Sequence, residues 1–280
     1  MSGRGDPRPI GVFDSGVGGL TVLAELNRRL PDEPTIYLGD NARTPYGPRP
    51  ADEVRRFTLE AAAWLAAQDV KLLVLACNTA TARALPDVRA AVAVPVLGVV
   101  RPGAVAATAA TRTRSVGVIA TAGTVESGAY HDAIVEADAA TDVAQLACPE
   151  LVPMVEAGIL DGRRAETVLR AYLEPMLADH PRLDTLLLGC THYPLLRAPI
   201  GRIVGEGVAV VDSAFTTAVA VEDLLDALGA RAEASDGPPV HRVATTGDVD
   251  AFVTVARRLF GDRLPGVESV SIEPAGVPLD

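Results

Sequence analysis

Two cysteines stand in matching surroundings. Leu73-Val74-Leu75-Ala76-Cys77-Asn78-Thr79-Ala80 and Leu186-Leu187-Leu188-Gly189-Cys190-Thr191-His192-Tyr193 are apolar runs, each ending in a thiol followed by small hydrogen-bonding residues. A short apolar run of this kind reads as a buried parallel strand. The carboxyl end of such a strand is where open α/β sheets place their chemistry.

Four chemistries can use a pair of thiols facing one cleft. A closed metal site wants about four ligands, and His131, His180, His192 and His241 show no ligand spacing toward the cysteines. Disulfide exchange usually carries C-x-x-C, absent here. A single cysteine nucleophile with His192 as base suits acyl hydrolysis, but it leaves the second thiol unused. Proton transfer at a stereocentre uses both, since inversion needs a base on one face of the carbon and an acid on the other. Either cysteine alone reads as an inert buried thiol; the matched pair favours the two-base scheme. A free thiol near pKa 8.5 needs local help to ionise. Both cysteines precede an expected helix start, whose dipole and free amides favour negative charge. His192 near Cys190 and Asp14 near Cys77 are the expected proton-handling neighbours.

The elements that must position these groups alternate strand and helix. Ile10 to Asp14 reads as a strand, and Gly16, Gly18 and Gly19 follow in a tight turn before a helix running to about Arg29. That turn lacks both Rossmann spacing and a P-loop lysine, so it reads as a close backbone approach to a small ligand. Asp14 reads equally as a site acid or as an N-cap. Thr35 to Asp40 is a second strand, leading into the Asn41–Pro48 loop with its Pro-Tyr-Gly turn. A helix from Ala51 to Gln68, the Cys77 strand, a helix from Thr79 or Ala80, and a strand from Val94 to Val100 follow. Arg101-Pro102-Gly103 reads as a break.

Beyond that break the pattern restarts. Val116 to Val125 repeats the opening strand and small-residue turn, so that aligning Gly11 with Gly117 sets Asp14-Ser15 against Ala120-Thr121. Asp184 to Cys190 likewise repeats the approach to Cys77. Val143–Leu146 and Val208–Asp212 read as strands, and Arg163–Ala178 and Thr216–Leu228 as helices. Ala230 to Pro239 is linker-like, before a last strand at His241–Thr246 and a last helix at Asp248–Phe260. The expected fold is α/β, with two similar open parallel-sheet domains related by a pseudo-twofold axis and the site in the cleft between them. Residues 1–98 plus 213–280 form the first domain and 99–212 the second, the C-terminal segment returning to complete the first.

Composition narrows the function classes. The 280 residues are 49% hydrophobic and 22% charged, with a formal net charge of -11, the wrong sign for nucleic acid or an anionic membrane. No apolar run approaches the roughly 18 residues of a membrane span. The start, Met1 to Pro7, is polar and reads as a loose tail, not a signal peptide. Three cysteines (Cys77, Cys148, Cys190) make no disulfide framework, so a reduced cytoplasmic protein is expected. The single lysine, Lys71, opens the Cys77 strand at the end away from the thiol. That placement argues against pyridoxal phosphate, which needs a Schiff-base lysine in the site; neither a cofactor nor a metal is expected.

Four motifs in order, Val12-Phe13-Asp14-Ser15-Gly16-Val17-Gly18-Gly19-Leu20, Gly39-Asp40-Asn41-Ala42-Arg43-Thr44-Pro45-Tyr46-Gly47, Ala76-Cys77-Asn78-Thr79-Ala80 and Gly189-Cys190-Thr191-His192-Tyr193-Pro194-Leu195, resemble the glutamate racemases of the aspartate/glutamate racemase superfamily. Val243 to Phe260 resembles that family's C-terminal segment. The resemblance implies cofactor-independent interconversion of L- and D-glutamate, supplying D-glutamate for bacterial peptidoglycan, commonly by a homodimer. It assigns acid/base roles to Cys77, acting on D-glutamate, and to Cys190, acting on L-glutamate. Asp14 and His192 match the assisting residues, and Glu156 rather than Glu150 matches a further carboxylate. Substrate contacts carry over to Asp14, Ser15, Pro45, Tyr46, Gly47, Asn78, Thr79, Thr121, Thr191 and His192. Arg101 replaces a residue that is acidic in many relatives, and Asn41 replaces a Thr. No long segment precedes the first strand, unlike members activated by a cell-wall precursor. A racemase of aspartate or a hydantoin, a cysteine hydrolase and a two-lobed amino-acid binding protein are the alternatives.

Overall fold

Leucine- and valine-rich runs with no alternation, bounded by glycine and polar turns, dictate strands buried on both faces. The computed structural model describes residues 5–234, 237–262, 264 and 266–272; the first four residues of the expected Met1–Pro7 tail lie outside them, as do two residues of the expected linker and the last eight of the chain.

In chain order, β1 (Ile10–Asp14), α1 (Leu20–Arg29), β2 (Thr35–Gly39), α2 (Ala51–Ala66), β3 (Leu72–Leu75), α3 (Asn78–Ala91) and β4 (Val96–Gly98) lead into α4 (Val100–Ala110). Then come β5 (Ser115–Ala120), α5 (Ala122–Glu126), α6 (Ala129–Ala137), β6 (Asp142–Ala147), α7 (Leu151–Glu156), α8 (Gly162–Asp179) and β7 (Thr185–Gly189). A 3-10 turn at Tyr193–Leu196 precedes α9 (Arg197–Val204), β8 (Ala209–Asp212) and α10 (Ser213–Leu228). The rest is β9 (His241–Thr245), α11 (Val249–Phe260) and β10 (Val267–Ser269).

The strands form two parallel sheets, ordered β10-β9-β2-β1-β3-β4 and β6-β5-β7-β8. The internal repeat is visible in their register. Gly11 at the centre of the first sheet pairs with Leu73 on β3, and Gly117 at the centre of the second pairs with Leu186 on β7. Cys77 and Cys190 each stand four residues beyond those partners, so the two thiols occupy equivalent points at two carboxyl ends. Separate apolar clusters pack both faces of the first sheet, around Val74 and Leu75, and both faces of the second, around Leu187 and Leu188.

Lys71 is buried at the amino end of β3, paired with Glu33 and donating to the carbonyls of Asp6 and Ala230. The amide of Ala232 also donates to Glu33. The one lysine thus ties the chain start and the segment after α10 to the sheet edge opposite the thiols. Breaking such a pair leaves a buried charge alone, typically a loss of about 3–5 kcal/mol.

Several local expectations differ from what the chain does. Arg101-Pro102-Gly103 is no break; it forms the first turn of α4, where proline's missing N–H has no intrahelical partner to lose. The helix after Thr121 is split into α5 and α6 at Gly128, whose φ of 70° lies in the left-handed region. β10 adds an edge strand beyond the last one expected. Among the described residues, no helix is long and apolar enough to cross a membrane.

Candidate active site

The carboxyl ends of β1, β2 and β3 face those of β5, β6 and β7, and a cavity of about 320 Å³ lies between them. Cys77 and Cys190 both border it. So do Ser15, Pro45, Tyr46, Gly47, Asn78, Thr79, Thr121, Thr191, His192 and Glu156. Asp14 does not. Its fully buried carboxylate is turned away, accepting the Gly16 amide at 2.9 Å and the Thr191 hydroxyl at 3.3 Å. Asp14 thus stands behind the lining residues Ser15 and Thr191.

Each thiol has its own surroundings. Cys77 caps α3, its Sγ accepting the Ala80 amide at 3.4 Å, and lies 3.5 Å from Ser15 Oγ. Burial first, then the nearby Asp14 charge, pushes this thiol up to about 12, outweighing the Ala80 and Ser15 hydrogen bonds. The helix-start amide works toward the thiolate, and burial of the sulfur is the larger effect. Cys190 differs again: the 3-10 turn, not an α-helix, follows it directly. Its neighbour is His192, with Nδ1 3.9 Å from Cys190 Sγ and Nε2 3.1 Å from Glu156 Oε1. Burial works against the imidazolium, but the bonds to Cys190 and Glu156 and the charge on Asp14 win and raise His192 to about 10.

Between the two candidate carboxylates the geometry chooses Glu156. Glu150 instead accepts an exposed bond from the Tyr172 hydroxyl. Glu156 is itself held from across the cleft, because Arg258 on α11 donates to its carbonyl at 2.7 Å.

The glycine-rich turn serves contact between the halves. A Cβ on Gly18 would sit 2.4 Å from Thr191 Oγ1 and 2.5 Å from the His192 ring, so only glycine lets α1 and the Cys190 loop meet. Similarly, the Gly123 amide donates to the Gly47 carbonyl at 2.9 Å, and a Cβ on Gly47 would lie 2.9 Å from Thr121. Tyr46 borders the cavity, yet its hydroxyl is bonded to buried Asp40, and its ring packs on Phe13 and Phe57. What it can offer a ligand is its ring and backbone.

Among the described residues, no lysine or arginine borders the cavity, and no cluster of three or more His, Cys, Asp or Glu is disposed to hold a metal. Hydroxyls, one carboxamide, backbone amides, three thiols and a histidine–carboxylate pair remain. A sequence profile of Asp/Glu/hydantoin racemases matches residues 10–224.

The chain belongs to this racemase family.

A glutamate racemase of Oceanobacillus iheyensis is 48% identical over 253 residues, 90% of this chain and 92% of its own. The crystal structure of a glutamate racemase isoform from Bacillus anthracis superposes with a TM-score of 0.89 at 42% identity, covering 95% of this chain and 98% of that one. The glutamate racemase of Francisella tularensis, solved with D-glutamate, gives 0.88 at 34% identity, covering 96% and 99%.

Three residues of this racemase's site were missed in the sequence. Cys148 also borders the cavity; it follows β6 directly, as Cys190 follows β7, so the same rule of strand ends could have found it. Burial pushes its thiol up to about 12. Thr124 closes a triangle of hydroxyls with Thr79 and Thr121, at 3.2 and 3.0 Å. Tyr130, fully buried on α6, donates to Asn78 Oδ1 at 2.5 Å. No local pattern announces these last two, since each acts across the junction of the halves.

Proposed function

We propose that this racemase interconverts L- and D-glutamate by proton transfer between two thiols, with no added cofactor. The observation that carries the reading is that Cys77 and Cys190, at equivalent strand ends of two repeated sheets, border one cavity. The glutamate racemases that this chain resembles, one of them holding D-glutamate, supply the substrate.

Cys190, as thiolate beside the His192 imidazolium, takes the α-proton from L-glutamate. Charge spreading into the α-carboxylate meets neutral donors, drawn from Ser15, Asn78, Thr79, Thr121, Thr191 and the Pro45-Tyr46-Gly47 backbone. Fixed donors aimed at developing charge are worth most where water is excluded. Cys77 delivers its thiol proton to the opposite face, which leaves D-glutamate, a Cys77 thiolate and a Cys190 thiol. The reverse reaction runs from that state. Asp14 acts through Thr191 and its charge, without touching substrate. Residues 1–98 plus 213–280 and residues 99–212 are the two bodies whose approach forms the cleft. The reading extends to a cytoplasmic homodimer that supplies D-glutamate for peptidoglycan and has no nucleic-acid or membrane partner.

In D2O, either glutamate enantiomer is expected to gain deuterium at the α-carbon with no pyridoxal phosphate added, and aspartate is expected to exchange far more slowly. Absence of exchange, or exchange only with pyridoxal phosphate, overturns the proposal.

A further inference from the structure

Asn78 opens α3, borders the cavity and is 2% exposed. Its Nδ2 has no hydrogen-bond partner among the described residues. A buried amide donor without an acceptor is uncommon and calls for one. Its other end is tightly held, because Oδ1 accepts the Tyr130 hydroxyl at 2.5 Å.

Tyr130 comes from α6, beside the second sheet, whereas Asn78 follows a strand of the first. Its phenol is fully buried and does not border the cavity. Gly103 leaves room for the phenol beside Ser213: a Cβ there would lie 3.3 Å from the Tyr130 oxygen and 3.3 Å from Ser213 Cβ. A phenol has one proton to give. Tyr130 gives that proton to Asn78. A carboxamide can otherwise flip end for end, and the flipped form would aim a carbonyl oxygen at an anionic substrate.

We propose that Tyr130 is a positioning residue that pins the Asn78 carboxamide so that Nδ2 donates to a carboxylate of the bound substrate. The proposal rests on the glutamate reading above. Because the pin comes from the opposite half, the donor is correctly aimed only when the two halves are together. Substrate binding and closure of the cleft are thereby linked at one side chain.

Tyr130→Phe keeps the ring and removes the proton. Its KM for both glutamate enantiomers is expected to rise about tenfold, the usual worth of one hydrogen bond, with kcat changed far less. Asn78→Ala should raise KM at least as much. The double variant should be no worse than Asn78→Ala alone, since both remove one contact, whereas a general packing defect would multiply. If Tyr130→Phe does not fold, Gly103→Ala, whose Cβ would lie 3.3 Å from the Tyr130 oxygen, supplies the test, with a smaller KM rise expected in the same direction. A KM within about twofold of wild type in the folded variant, or full multiplicativity in the double variant, overturns the role of Tyr130. Wild-type enzyme without glutamate exchange overturns the glutamate reading itself, and this role with it.

Discussion

Cys77 and Cys190 occupy equivalent backbone positions, yet their neighbours differ. Cys77 is buried beside Asp14 and keeps its proton, its thiol pushed up to about 12. Cys190 has the His192 imidazolium, itself backed by Glu156. His192 also links catalysis to pH. Its folded pKa, about 10, lies above the ordinary 6.5, so the stability it adds is fully present below about 6.5 and fades as pH rises through about 10. Loss of that proton should produce an alkaline fall in kcat/KM. Glu156→Gln removes one of the groups that raise His192, so the fall should move to lower pH. Because the enantiomers have equal free energy, kcat/KM must drop equally in both directions. An alkaline limb that stays in place in Glu156→Gln contradicts the role given to that carboxylate.

At the scale of elements, parallel strands deliver the chemistry and glycines let their loops meet. Strand positions were legible because Leu72–Leu75 and Thr185–Gly189 are buried on both faces and so read as continuous apolar runs. β10 was not: Val267–Ser269 is a three-residue edge strand, half exposed, with too little pattern to register. The loop after Cys190 was misread as a helix start because Tyr193-Pro194-Leu195-Leu196 has helical composition but closes into a 3-10 turn before α9. Gly18 gives the sharpest test at this scale. Gly18→Ala places a Cβ against Thr191 and His192, at a cost of about 1–3 kcal/mol if the loop does not yield. If it yields, His192 moves. A shift near 1 Å in a reacting group can lower the rate about a hundredfold, so activity should fall more than the melting temperature suggests. Wild-type kcat/KM in Gly18→Ala would show that the contact does not position the site.

Across the whole molecule, the internal repeat accounts for Cys77 and Cys190 bordering one cavity. A strand-end cysteine repeated with its sheet supplies a second thiol at an equivalent backbone position, and facing the two sheets brings both to one space. Much of this was readable from residue order alone, because Gly11 and Gly117 set a register that carries each cysteine with it. The contacts that close the cleft were not readable. Gly123 to Gly47, Tyr130 to Asn78 and Arg258 to Glu156 each join residues far apart in the chain, and neither partner shows a pattern of its own. The bond from the Thr191 hydroxyl to Asp14 is unreadable for the same reason, since it joins the two halves.

The central claim is that both thiols act on one carbon, and racemisation by Cys77→Ser and Cys190→Ser measures it most directly. A serine hydroxyl keeps nearly the same shape but is a far poorer base than a thiolate. With general acid–base catalysis contributing about 10²–10⁴-fold, each variant should lose at least about a hundredfold in kcat, in both directions, while remaining folded. Racemisation at the wild-type rate by either variant contradicts the two-thiol account.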